Sequence, residues 1–393
     1  MKIIKTWLPA ITGMCCMAFG AGIMSIYGFF VEPLSHEFGV GAAVLNTGPI
    51  ALLLVPAIFG ALIGKLADSL PVRNIMLAGA GIGMAALVAI GQAPTLVWVA
   101  VGFVSFSLGM SMYGPVVVNG MLVKLYPGRE ARALALAAIG MSLAAIILPP
   151  LTGSLLANFD WRLALQILAA GLLVVLWVMI LAGTPRGVVE TAPSTEKLVA
   201  GAFYRIRAFW LIGLCVALGL NVMIVLTICF PPFFTGRGYS VADAGWFLAV
   251  SGLAGLVGKS CLAWQGDAVR NAVKWLAAGL LLTQVVGLLL LYVSVETWQV
   301  VVALVLLGAA NGAFIPMHPY LNSRYFDAAI ISQVTGAQMP LFLPLGLTGA
   351  PLAGYVFDQT GSYDVVMLAL AATLVIAALL IACTPAATKV PAN

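Results

Sequence analysis

Twelve stretches of this chain are apolar over roughly the thickness of a bilayer, and that feature removes most folds from consideration. They cover 7–31, 43–66, 74–92, 96–123, 132–156, 162–183, 208–233, 243–265, 274–294, 298–320, 331–356 and 363–384. A membrane-spanning helix needs roughly 20 predominantly apolar residues. In lipid every backbone N–H and C=O must find an internal partner, which leaves helices or a closed barrel. Barrel strands are short and alternate in polarity, whereas these runs are long and continuous, so they predict helices. Several contain Gly or Pro, which membrane helices tolerate.

The composition agrees: 63% of residues are hydrophobic and 8% are charged. Soluble domains sit near half apolar and a quarter charged. The expected fold class is an all-α membrane protein of twelve transmembrane helices. The net charge of +5 reports topology here and does not call for nucleic acid. With the N-terminus inside, fifteen of the eighteen Lys and Arg fall on the cytoplasmic side, leaving Arg162 and Arg237 outside and Lys259 within a span. That asymmetry puts both termini in the cytoplasm. The location expected is a plasma membrane, in a bacterium the inner one. The first apolar run is span-length and leads straight into the next, so it does not read as a cleavable signal.

The six cysteines, Cys15, Cys16, Cys215, Cys229, Cys261 and Cys383, all lie in apolar segments without metal-ligand spacing. They read as small packing residues. The sequence has no phosphate-binding loop, zinc-type His/Glu spacing or nucleophile elbow. No enzyme activity, cofactor or metal is expected, and the chain is expected to act as a monomer in the lipid bilayer.

Residues 184–205 form the least apolar internal stretch, with Pro185, Arg186, Glu190, Pro193, Glu196 and Lys197. They divide the chain into an N-terminal six-helix bundle, 1–183, a cytoplasmic linker, 184–205, and a C-terminal six-helix bundle, 206–393. The halves echo each other at an offset of about 200 residues: Pro150-Leu151-Thr152-Gly153 returns as Pro351-Leu352-Ala353-Gly354, and Asp68 after the second span matches Asp267 after the eighth. Repeated six-span halves are how many secondary carriers are built, with the substrate site near the midplane.

The run Gly64-Lys65-Leu66-Ala67-Asp68-Ser69-Leu70-Pro71-Val72-Arg73 resembles the signature loop of the major facilitator superfamily between spans two and three. Ser69 stands where Arg is usual and Pro71 where Gly is usual. The resemblance implies two pseudo-symmetric bundles and a gating role for Gly64, Asp68 and Arg73. Asp68 would latch the cytoplasmic side, with Arg129-Glu130-Ala131-Arg132 supplying a basic partner, Arg129 or Arg132. Within the superfamily, Tyr27-Gly28-Phe29-Phe30-Val31-Glu32-Pro33-Leu34, Asp160-Trp161-Arg162 and the stretch from Gly349 to Tyr363 resemble the monocarboxylate and oxalate/formate branch. That branch carries a cation in span eight, and Lys259, eight residues before Asp267, resembles it. The Asp that accompanies the cation in animal members is Gly255 here, and their span-one Lys is Met24.

Lys259 is the first candidate for substrate contact. A lone ammonium at membrane depth costs several kcal/mol unless it faces water, a partner or a ligand. A compact ammonium holds a carboxylate as a point charge. The alternative is that Lys259 snorkels to the headgroups. His318 is the second, in Pro316-Met317-His318-Pro319-Tyr320, where two prolines break the helical ladder. A His there can titrate near neutral pH, or simply pack. Uncharged polar residues follow: Tyr27, Asn46, Tyr113 and Asn119 in the first half, and Asn221, Gln284, Asn311 and Gln338 in the second. Interhelical bonding competes with ligand contact for each. Tyr113 and Asn221 are favoured because spans one, four, seven and ten line the cavity in the superfamily.

The function expected is a secondary active transporter moving a small organic anion, a monocarboxylate, by alternating access. The proton is the expected coupling ion, by resemblance to the family alone. The alternatives are an exporter of drugs or other hydrophobic compounds, and a non-transporting membrane sensor with a carrier fold.

Overall fold

The computed structural model describes residues 2–40, 45, 48–187 and 202–385. Asn46 and most of the expected linker lie outside the described residues.

Every regular element among the described residues is helical. Helix α1 (Lys2–Ile26) and the start of α2 (Gly28–Phe38) make the first span. Then come α3 (Ala51–Ser69), α4 (Val72–Gly91), α5 (Leu96–Tyr113), α6 (Pro115–Leu125), α7 (Glu130–Asn158) and α8 (Trp161–Gly183). The second half holds α9 (Arg207–Gly236), α10 (Val241–Gln265), α11 (Val273–Val293), α12 (Thr297–Phe314), α13 (Met317–Tyr325), α14 (Ile331–Gln338), α15 (Phe342–Thr360) and α16 (Asp364–Ala382). Among the described residues eleven stretches are long and apolar enough to cross a membrane; one of them, Asp243–Val293, is 51 residues long. It holds both α10 and α11, joined by the 3₁₀ turn Gly266–Ala272, so the twelve expected spans are present.

Three further spans are broken for reasons written in the sequence. Span four stops at Tyr113 because Gly114 is extended (φ −86°, ψ −160°) and Pro115 restarts the helix at its first turn. Proline fits there because that N–H has no intrahelical partner anyway. Span ten breaks at Ile315 and Pro316, and span eleven at the 3₁₀ turn Met339–Leu341, which contains Pro340. By contrast α7 runs unbroken through Pro149 and Pro150.

Compact packing groups the chain into two units. Unit 1 comprises Met1–Pro127, Leu136–Ser194 and Ala328–Met339. Its core joins Ile23 and Ile26 of α1, Leu87 and Ile90 of α4, Phe103 and Phe106 of α5, and Leu165 and Leu168 of α8. Within it, α14 packs on α3 and α6. That approach depends on Gly64, where a Cβ would lie 2.2 Å from the Ser332 carbonyl oxygen. Unit 2 comprises Gly128–Ala135, Thr195–Asp327 and Pro340–Asn393. Its tightest seam joins α10 to α12: a Cβ at Gly258 would lie 1.9 Å from the Ala309 oxygen, and one at Gly312 2.0 Å from the Gly255 oxygen. The units thus exchange short segments relative to the sequence halves: Gly128–Ala135 counts with unit 2 and Ala328–Met339 with unit 1.

Candidate functional site

The α10–α12 seam of unit 2 positions Lys259. The residue follows Gly258 directly and stands one turn beyond Gly255, so both neighbours that bring α10 onto α12 flank it. It is 5% exposed. Large exposed side chains, Trp246, Leu253, Val257 and Trp264, occupy another face of the same helix.

His318 is the second residue of α13 and is also buried, 6% exposed. Its ring meets Phe342 edge-on, with centroids 5.4 Å apart and planes at 74°. Phe342 begins α15, so the residues just past the breaks of spans ten and eleven pack together. Asn221 of α9 touches Gly349 of α15, and its side-chain oxygen is buried without a hydrogen-bond partner. A buried acceptor without a donor is costly. Asn311 is half-buried on α12, and its carbonyl accepts the Ile315 N–H that closes the helix before the break. Gln284 of α11 is 2% exposed, with its side-chain nitrogen buried and unpaired.

In unit 1 the expected residues are used for packing to different degrees. Tyr113 is buried at the end of α5, its ring beside Gly83 of α4. Asn119 is buried on α6. Tyr27 donates its hydroxyl to the Leu45 carbonyl and packs edge-on to Phe103, so its polar group is committed to the protein. With Phe30, Phe103 and Trp161 it borders a small, wholly apolar cavity.

Asp68 is held as a helix cap. Its Oδ2 accepts the Gln333 backbone N–H at 2.9 Å, in the first turn of α14. The first N–H groups of a helix have no intrahelical partner, and the helix dipole favours an anion there. Its basic partner is Lys124, which donates to Oδ1 at 2.7 Å with both side chains buried. That corrects the expectation of Arg129 or Arg132: the segment carrying them belongs to unit 2 and turns to Asp267 instead. There Asp267 accepts the backbone N–H groups of Ala131 at 2.8 Å and Arg132 at 3.3 Å, capping α7, while the Arg132 guanidinium donates to the Ala263 carbonyl at 3.1 Å. The sequence-matched acids therefore play matched parts. Arg73 does not join the Asp68 cluster; it donates to the Leu181 carbonyl at 2.9 Å and to Thr184, closing the C-terminus of α8.

Sequence reasoning missed Lys124, because nothing local distinguishes it from other lysines near span ends. It also missed the capped N–H groups, which any residue type supplies. The two arginines expected outside hold further clasps. Arg162 donates to the Gly91 and Ala93 carbonyls at 2.9 and 3.1 Å and pairs with Glu37. Arg237 donates to the Leu291 and Tyr292 carbonyls, each at 2.9 Å, and pairs with Asp364 at 3.0 Å. The Arg162 guanidinium beside Glu37, helped by the Trp161 indole, holds that carboxyl below the usual carboxylate range.

Among the described residues no three His, Cys, Asp or Glu side chains converge as a metal site would require. A family model, the Major Facilitator Superfamily, matches residues 12–339 and 237–392. The chain belongs to the Major Facilitator Superfamily. It is a multi-pass membrane transporter of that superfamily and not an enzyme. Monocarboxylate transporter 13 of Rattus norvegicus is 26% identical over 380 residues, covering 91% of this chain and 83% of that protein. Monocarboxylate transporter 11 of Homo sapiens is 28% identical over 265 residues, 62% of this chain and 54% of that protein. The crystal structure of the superfamily transporter FucP in the outward conformation matches with a TM-score of 0.76 and 14% identity, covering 98% of this chain and 99% of that one. At that identity the structural likeness speaks for the fold alone.

Proposed function

We propose that this superfamily member carries a small monocarboxylate anion, coupled to proton movement, in a plasma membrane with both termini cytoplasmic. The observation that carries the reading is Lys259: an ammonium buried to 5% exposure beside the close seam of α10 and α12. A cation at such depth is a functional group by default, and a carboxylate is the complementary charge. The names of the relatives, monocarboxylate transporters, support the same class. His318, buried in the same unit, is the group whose ordinary pKa suits proton coupling. Asn221 and Asn311 supply polar contacts in that unit, and Tyr113 and Asn119 are the candidate polar contacts of unit 1.

Access alternates as the superfamily's fold implies. In this reading Asp68 and Asp267 are the gating acids, each releasing the helix N-terminus it caps when the cytoplasmic side opens. Gly64 permits the close approach that the closed form needs, and Arg73, Arg129 and Arg132 steady the neighbouring loops. The halves 1–183 and 206–393 are the moving bundles, and a monomer suffices.

The test is uptake into proteoliposomes of a panel of radiolabelled acids, with and without an inward-acid pH gradient. Short monocarboxylates should be taken up saturably and faster with the gradient, while dicarboxylates and neutral sugars should not compete. Uptake of a lipophilic cation in place of acids would overturn the anion assignment.

A further inference from the structure

Tyr320 of unit 2 is wholly buried, and its hydroxyl donates to the Gly266 carbonyl at 3.0 Å. Gly266 closes α10, its N–H bonded back to the Leu262 carbonyl, and Asp267 follows it directly. Asp267 in turn accepts the Ala131 and Arg132 N–H groups at the start of α7. The turn has no slack against that helix: a Cβ at Gly266 would lie 2.8 Å from the Ala131 methyl group. Where the Gly266 peptide sits therefore decides whether the Asp267 carboxylate reaches α7.

The phenol comes from the same short helix as His318. Tyr320 stands two residues further along α13, just past the break at Ile315 and Pro316. Its N–H bonds to the Pro316 carbonyl at 3.3 Å, which joins the first turn of α13 to the break. At the other end of α13 the Tyr325 hydroxyl donates to the Pro385 carbonyl at 2.9 Å. Four charged groups act on the Tyr320 hydroxyl, the acids Asp267 and Glu130 and the guanidinium groups of Arg324 and Arg270, and Glu130 is itself buried. A hydrogen bond in the protein interior is electrostatically stronger than one in water. We propose that Tyr320 is a positioning residue of the transport cycle: through the Gly266 carbonyl it holds the Asp267 carboxylate on α7, so a change at the span-ten break beside His318 is passed to the gate. The proposal rests on the gating role given to Asp267 above. No partner side chain marks this bond in the sequence, because its acceptor is backbone.

The test removes the hydroxyl alone. Hydrogen–deuterium exchange is followed by mass spectrometry on the full chain in lipid nanodiscs, with no solute present. In Tyr320→Phe the peptide carrying the Ala131 and Arg132 amides should exchange about fivefold faster, the size of one lost hydrogen bond. Asp267→Ala should free the same amides, and the double variant should be no faster than Asp267→Ala. The Gln333 amide, capped by Asp68 in unit 1, should be unchanged. Uptake of radiolabelled lactate by Tyr320→Phe in proteoliposomes should show kcat lowered about fivefold with KM unchanged, the split expected of a residue that paces the gate and does not touch the solute. Unchanged Ala131 and Arg132 exchange in Tyr320→Phe, with those amides freed by Asp267→Ala, would overturn the proposal and leave Asp267 as the gate. Freed amides in both variants with unaltered uptake kinetics would overturn the gating reading, and the proposal with it. Faster exchange throughout unit 2 would mean that Tyr320 only holds the fold, and would also overturn it.

Discussion

Lys124 donates to Asp68 across 2.7 Å, with only 4% and 8% of the two side chains exposed. The same carboxylate caps α14 through the Gln333 N–H. One acid therefore ties α3 to α6 and to α14 at once. Removing one partner of a buried pair leaves an uncompensated charge and costs about 3–5 kcal/mol, whereas replacing both by apolar groups of similar volume is often neutral. Asp68→Ala should therefore lower the thermal unfolding midpoint in detergent sharply. Asp68→Leu combined with Lys124→Met should recover most of it, yet leave transport impaired, because the α14 cap is still missing. Full transport in the double variant would show the cap to be dispensable.

The glycine at the same contact gives a second prediction with a control of opposite sign. A Cβ at Gly64 would lie 2.2 Å from the Ser332 carbonyl oxygen, a backbone atom that cannot swing aside. Overpacking of this kind costs roughly 1–3 kcal/mol. Gly64→Ala should destabilise by that order and lower uptake. A Cβ at Gly171 of α8 would meet nothing within 4 Å, so Gly171→Ala should be neutral or stabilise by up to about 1 kcal/mol. Melting curves of the two variants side by side decide the matter.

How much of this was legible beforehand follows from what each feature depends on. The spans are set by hydropathy and the breaks at Tyr113 and Pro316 by Gly and Pro, all local properties, and the structure has them where the residues put them. Asp68 and Asp267 were legible as matched acids because the repeat aligns them. Their partners were not. Gln333 and Ala131 serve through backbone N–H groups that any residue type supplies, and Lys124 through a long-range contact. For Tyr27 the sequence left interhelical bonding and ligand contact both open, and in the fold its hydroxyl donates to the Leu45 carbonyl. A side chain's type states what it can bond, while tertiary packing decides which partner is within reach.

The clasps at Arg162 and Arg237 have the same parts with the charges exchanged between equivalent spans. Arg162 starts span six and pairs with Glu37 after span one; Arg237 ends span seven and pairs with Asp364 at span twelve. The pairs are partly exposed, so each ion pair contributes only about 0–1 kcal/mol. The carbonyl bonds of the guanidinium contribute separately, so Arg162→Ala should cost more than Glu37→Gln. Glu37 has its pKa lowered in the fold. Its contribution is present above the ordinary glutamate value of about 4.3 and is lost as pH falls through the lower folded value. Glu37→Gln should therefore lower the melting midpoint slightly at pH 7 and leave it unchanged at the acid end of the titration. A constant difference across that range would remove the ion pair from the account.

His318 packs edge-on to Phe342 where the broken spans meet. If it carries the coupled proton, His318→Ala should flatten the pH dependence of uptake and abolish the response to a pH gradient, while exchange of labelled for unlabelled acid continues. A packing role predicts lower stability with the pH profile unchanged. Measuring net uptake and exchange in the same proteoliposomes separates the two.

Lys259 bears the heaviest expectation. Lys259→Ala removes a buried charge without lengthening the side chain, and Gly255 and Gly258, which set the α10–α12 seam, stay in place. The variant should fold and elute as the parent does. Saturable uptake of acids should fall to background. Lys259→Arg keeps the charge but spreads it over a planar fork on a longer reach. It should retain uptake with KM raised about tenfold, equivalent to roughly 1.4 kcal/mol of binding. Lys259→Met matches the length without the charge and should behave like the alanine variant. Kinetics in Lys259→Met close to those of the parent protein would mean that the buried ammonium does not meet the substrate, and the anion assignment would lose its structural support.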